Sequence, residues 1–345
     1  MAPTFRPLIA ERLTAQGLAG EPLGGPVEVA ERLLAVQAQD PRGARLTVRA
    51  RTEGLTAAAV DRALTEDRSL LITTLNRGTL HLVRREDYPW LQALTTPPLL
   101  TSSGSRLRQE GVSERAAEKG VATVERALAE EGPLTRAQLR ERLEAVGWPT
   151  KGQALAHLMF LVAVRGVAVR GPMVGGEQAF VRTEDWLGQQ PRVDRERALA
   201  ELGRRYLAGH GPADDRDLAR WAGLPLRDAR AGLEAIAAEV EQRPDGLLDL
   251  AGRAPAEPLP APRLLGSFEP LLLGWCSREE VVGPHKRLVT NNGLFRPFAL
   301  VDGRAVATWK LSGRKLEIEP LARVTKKATA ALEADAQAVL VYLER

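Results

Sequence analysis

A weak internal repeat constrains this chain more than any other feature. Gly25-Pro26, Gly132-Pro133 and Gly211-Pro212 each stand ahead of an apolar-periodic segment, with Leu33, Leu139 and Leu218 at comparable places beyond them. Proline suits a helix start, because the N–H it lacks would have no partner there. Each marker follows another helical stretch, Leu8 to Leu18, Glu114 to Glu131 and Arg195 to Ala208. The markers are 107 residues apart between Pro26 and Pro133 and 79 apart between Pro133 and Pro212, so the first copy carries the insertions.

The second copy shows the pattern best. Thr135 is placed to cap a helix running to Val146. Lys151 to Arg165 reads as the next helix, with Leu155, Leu158, Met159 and Val162 on one face. Val167 to Arg170 and Ala179 to Arg182 then read as strands around the Gly-rich turn Gly171 to Gly176. The third copy repeats this with helices Asp214 to Trp221 and Leu226 to Ala238, and strands Val240 to Arg243 and Leu247 to Leu250. Helix, helix, helix, hairpin is the order of a winged helix. Ala254 to Pro262 holds four prolines and no apolar period, so it reads as an extended connector. Beyond it, alternation at Phe298 to Val301 and Ala305 to Trp309 suggests strands. The expected class is α+β, mainly helical. Three tandem winged-helix domains (1–110, 111–190 and 191–258) precede a C-terminal β-rich domain (259–345).

A chain of 345 residues is long enough for several domains. No apolar run approaches the roughly 20 residues of a membrane span, and the first ten residues lack the order of a signal peptide. The lone cysteine, Cys276, excludes an internal disulfide and a cysteine-based metal site. A cytoplasmic, nucleoid-associated monomer is therefore expected. The net charge is +4 and the pI about 9.4, and 41 of the 48 basic residues are arginine. Arginine favours phosphate and guanine as partners; a GC-rich genome would enrich it equally well. From Cys276 onward 12 Lys/Arg stand against 8 Asp/Glu. His81, His157, His210 and His285 are scattered, and no phosphate loop, dinucleotide fingerprint or serine-nucleophile elbow is present. Neither metal nor cofactor is expected.

Two stretches remain as candidates for chemistry. In one, a helix with Val29, Leu33 and Val36 on its apolar face runs into Gln37 and Gln39 and stops before Pro41. Two glutamines near a helix end are also common as plain solvated residues. Asp40 is a nearby carboxylate that the Pro41 turn is expected to point to solvent. In the other stretch, Leu70 to Leu75 and Thr79 to Val83 flank Asn76-Arg77-Gly78 as a hairpin that would present Arg77, and with it Asn76, at its tip. A basic hairpin tip is how a winged helix meets a DNA backbone or minor groove; an ordinary hairpin with a solvated arginine fits the same pattern.

Gln37-Ala38-Gln39, Arg77 to Val83, and the tail Leu265-Gly266-Ser267-Phe268-Glu269-Pro270-Leu271-Leu272-Leu273-Gly274-Trp275 together resemble the AlkZ/YcaQ family of winged-helix DNA glycosylases. The resemblance covers nearly the whole chain. It implies three tandem winged helices in a C-shaped arrangement closed by the β-rich domain. It also implies excision of N7-alkylated purines, including those in interstrand crosslinks, from double-stranded DNA. Gln37 and Gln39 match the family's catalytic pair, and a glutamine at the second position points to the AlkZ-like branch, linked to self-resistance against a genotoxic natural product. The hairpin residues Asn76, Arg77, Thr79 and His81 would touch DNA, although His81 on a strand is equally readable as a core histidine. A crosslinked base cannot flip freely, so an open cleft is expected rather than a closed base pocket.

Two other readings stand beside this one. A winged-helix transcriptional regulator without catalysis would usually bring a dimerisation helix and bind paired half-sites; neither three unequal copies nor any obvious dimerisation helix suits it. A protein-interaction scaffold would show no salt-dependent DNA binding.

Overall fold

A computed structural model describes residues 8–290 and 293–344. The chain divides into two compact units, Asp61–Ala198 and the pair of segments Met1–Val60 and Leu199–Arg345. The expected boundaries at 110 and 258 therefore fall inside units rather than between them.

The Asp61–Ala198 unit contains the second repeat almost as its pattern suggests. Ser113 caps the helix Glu114–Glu131 through the Ala116 N–H. Thr135 and Gln138 form a reciprocal capping box that starts the helix Arg136–Ala145. The helix Ala154–Val164 is apolar nearly all round and lies in the core. Strands Ala168–Val174 and Glu177–Arg182 form the hairpin, and the Leu134 backbone bridges to Phe180. The residue after Gly132-Pro133 thus joins the hairpin, and the helix begins only at Arg136. The earlier hairpin, Leu70–Leu75 with Thr79–Arg84, pairs in full antiparallel register. It joins the second hairpin through Ile72 opposite Arg170. That shared sheet explains why the boundary expected at 110 lies within one unit.

In the other unit the third repeat recurs as helices Arg195–His210, Asp215–Ala222 and Leu226–Glu234, then strands Val240–Gln242 and Leu248–Leu250. Asp214 and Asp217 form its capping box, and Ala213 bridges to Leu248 as Leu134 does to Phe180. After the connector, an antiparallel sheet runs Lys315–Pro320, Arg304–Ser312, Phe298–Val301, Arg263–Leu265. The strands expected at 298–301 and 305–309 are present. The helix Lys326–Leu343 was not anticipated. It packs Leu332, Ala336, Val339 and Tyr342 into one cluster with Leu264, Trp309 and Leu46.

Candidate active site

The helix Pro26–Leu33 stops earlier than its apolar spacing suggests. Leu34 has φ 63° and is wholly buried. A residue bearing a Cβ at positive φ costs about 1–3 kcal/mol, which the burial of its side chain offsets here. Val36–Gln37 is a short strand, Ala38 is buried, and the chain bends through Gln39 and Asp40 before the helix Pro41–Arg49. The expected run of helix through the glutamines is thus corrected. Gln37 is 6% exposed, whereas Gln39 is exposed.

Asp40 is corrected too, for it does not simply face solvent. It caps the Pro41–Arg49 helix, accepting the Arg42 N–H at 3.0 Å, and the Ser267 hydroxyl donates to its other oxygen. Proline after Asp40 keeps Asp40 out of helical backbone and supplies the first helical residue. Ser267 belongs to the tail stretch Leu265 to Trp275, whose backbone lies directly against this helix. Any Cβ at Gly43 would collide with the Ser267 carbonyl, and one at Gly266 would lie 3.0 Å from the Gly43 carbonyl.

The same stretch reaches further along the helix. Thr47 donates to Glu269 at 3.2 Å, and Arg51 donates to Glu269 at 2.6 Å with both side chains fully buried. Arg51 also donates to the Gln16 carbonyl at 2.7 Å and the Thr47 carbonyl at 3.0 Å. At the stretch's other end, Tyr206 donates to the Gly274 carbonyl at 2.7 Å, and the Trp275 indole donates to the His210 carbonyl at 2.9 Å. From the C-terminal helix, Asp335 pairs with Arg49 at 2.5 Å and Tyr342 donates to the Arg45 carbonyl at 2.9 Å. Ser267, Glu269, Thr47 and Arg51 were not singled out from sequence. Ser267 and Glu269 fall within the tail stretch, which names no partner; Thr47 and Arg51 carry no signal in the sequence.

The four hairpin residues lie in the other unit. The three-residue turn Asn76–Gly78 packs Gly78 against Phe160 and Leu99. Arg77 is exposed with φ 58°. Asn76 is not presented at the tip as expected: its side chain is completely buried, and neither amide atom has a hydrogen-bond partner. Thr79 is half-buried and donates to the Asn76 carbonyl at 3.2 Å. His81 is 2% exposed, opposite Thr73, with Nδ1 2.9 Å from the Thr79 carbonyl. Burial first, then the charge of Arg77, pushes His81 down to about 3, so it is neutral at physiological pH.

Among the described residues no three His, Cys, Asp or Glu gather as a metal would require, and no helix is long and apolar enough to cross a membrane. What the unit of Met1–Val60 and Leu199–Arg345 offers is a pair of neutral amides on a short segment followed by an anchored helix. The chain matches the family model for AlkZ-like DNA glycosylases over residues 30–342. It is 31% identical to an interstrand DNA cross-link repair glycosylase of Streptomyces sahachiroi, over 97% of this chain and 95% of that protein. The solved structure of the Streptomyces sahachiroi DNA glycosylase AlkZ superposes with a TM-score of 0.77 at 26% identity, covering 97% of this chain and 95% of that one. These matches do not favour a non-catalytic regulator, and the chain belongs to the AlkZ-like family of DNA glycosylases, hydrolases of the bond between base and deoxyribose.

Proposed function

We propose that this protein removes N7-alkylated purines from double-stranded DNA, including purines tied into interstrand crosslinks, with Gln37 and Gln39 as the catalytic pair. The observation that carries the reading is this amide pair on its anchored segment, in a chain that a cross-link repair glycosylase matches over 97% of its length. A purine alkylated at N7 carries positive charge and leaves without a general acid. The C1′–N9 bond breaks with its electrons passing to the base, which departs neutral. Water adds its oxygen to the oxocarbenium-like C1′ and releases its proton to solvent. A neutral amide oxygen orients that water and faces the developing positive charge. Glutamine is no strong base, so unmodified purines, which leave poorly, are spared.

Three winged helices, each ending in one of the hairpins, would grip the duplex. Arg77, exposed, and Thr79, half-buried, are the hairpin residues that would contact DNA, whereas Asn76 and His81 are buried. Self-resistance to a DNA-alkylating natural product is the biological role that fits such a substrate range. The test is incubation with two duplexes, one carrying N7-methylguanine and one an N7–N7 crosslink. Base release and unhooking are expected. Salt-dependent binding with neither product would return the protein to the regulators.

A further inference from the structure

The tail stretch Leu265 to Trp275 lies outside the glutamine segment, yet its side chains converge on the residues that follow Gln39. We propose that this stretch is a clamp that sets the pose of the glutamine pair, with Asp40 and Ser267 as positioning residues. The inference rests on the reading of Gln37 and Gln39 as the catalytic pair. Asp40 directly follows Gln39 and has two holds: the Arg42 N–H fixes it to its own helix, and the Ser267 hydroxyl fixes it to the tail. The helix beyond is tied to the same stretch by Thr47 and Arg51 through Glu269. Gly43 and Gly266 permit the backbone contact that brings Ser267 within reach. Strained backbone brackets the arrangement, since Leu34 before the glutamines and Phe268 after Ser267 have φ 63° and 55°. Left-handed non-glycine residues persist where their surroundings over-determine them, and they gather at functional sites. A displacement of about 1 Å in a reacting group can cost on the order of a hundredfold in rate. The strand in this segment is only two residues long, Val36–Gln37, and Gln39 lies beyond it in a bend.

Ser267→Ala removes one oxygen and leaves the fold's packing intact. Asp40→Asn keeps the cap, because asparagine caps as well as aspartate. Its amide can also donate to the Ser267 oxygen, reversing that hydrogen bond. Single-turnover release of N7-methylguanine would be measured for wild type, S267A, D40A, D40N and the D40A/S267A double variant, each with its DNA affinity and melting temperature. Rates about tenfold or more below wild type are expected for S267A and D40A, with affinity held. D40N should recover most of the rate, and the double variant should be no slower than the slower single. A wild-type rate in S267A would overturn the proposal, as would a D40N as slow as D40A, which would make the charge itself the active feature. A rate loss matched by equal losses of affinity and melting temperature would also overturn it. Q37A and Q39A run alongside separate the two readings. If they are slow while S267A is fast, only the clamp fails. If they are fast while S267A is slow, the clamp holds some other reacting group.

Discussion

The Gln37–Gln39 segment and the Asn76–Gly78 turn are both short connections that include or follow a left-handed, non-glycine residue, Leu34 in one and Arg77 in the other. Their buried polar groups are handled in opposite ways. Around the first, Asp40, Thr47, Arg51 and Glu269 are paired with one another or with the tail stretch, across more than 200 positions of sequence. Around the second, the Asn76 amide and the Thr73 hydroxyl are buried without partners. Buried polar groups are usually paired, and an unpaired one costs roughly 1–3 kcal/mol. Specific long-range side-chain pairs thus tie down the residues that follow the glutamines, while the hairpin rests on its main-chain ladder, apolar packing and local contacts such as that of Thr79 with the Asn76 carbonyl.

The largest test of this contrast breaks the buried ion pair. Arg51→Met should cost about 3–5 kcal/mol in a urea titration, because it strands the Glu269 carboxylate in the core. Replacing Glu269 with Leu in the same chain should restore most of that loss, as apolar substitutes for both partners often do. A stable Arg51→Met chain would mean that the glutamine segment is no better defined than the hairpin.

Acid probes both regions at once. His210 stacks on Tyr206 at 5.0 Å, and neither of its ring nitrogens has a partner. Burial first, with Arg51 and Arg12 adding to it against a backbone contact from Tyr206, pushes it down to about 3, as His81 is pushed in the other unit. Unfolded histidine takes a proton near 6.5, whereas these two stay neutral until about 3. Between those values the unfolded state binds more protons, so stability is full above pH 6.5 and falls as the pH drops towards 3. At pH 5 the loss is about 2 kcal/mol per histidine. His210→Phe keeps a ring in the stack and should make the decline of melting temperature from pH 7 to pH 5 shallower. An unchanged slope would show that His210 takes its proton while folded.

The smallest effect is expected at Asn76. Leucine has nearly the same shape and no polar atom to strand, so Asn76→Leu should stabilise by about 1 kcal/mol, the low end of the cost of an unpaired buried polar group. Its DNA affinity should match wild type, because the side chain is buried. A drop in affinity without a change in melting temperature would show that Asn76 turns outward to meet DNA.

Local patterns made the repeats legible. Thr135 with Gln138, and Asp214 with Asp217, are helix starts written within four residues, and the strand pair at Leu70 to Val83 shows in its alternation and turn. The end of the Pro26–Leu33 helix was not legible. Leucine is a good helix former, and its left-handed backbone comes from tertiary burial that no local pattern encodes. The strand-like alternation at Phe298 to Val301 and Ala305 to Trp309 sets the expectation of a β-rich tail, which has no place for the helix Lys326–Leu343. Gln37 and Gln39 were picked out by resemblance, but the side chains around them were not. Ser267 and Glu269 act on residues more than 200 positions away, and a single sequence shows no sign of such pairs. The pairing of the two hairpins at Ile72 and Arg170 is not legible in the sequence either, since those residues meet only in three dimensions.

The most direct measurement of the central claim is single-turnover release of N7-methylguanine from a duplex by wild type, Gln37→Ala and Gln39→Ala, each first shown to fold and to bind DNA with wild-type affinity. Release by the wild type with a loss of about a hundredfold or more in either variant is the expected result. Wild-type rates in both variants would contradict it and move the chemistry to another group.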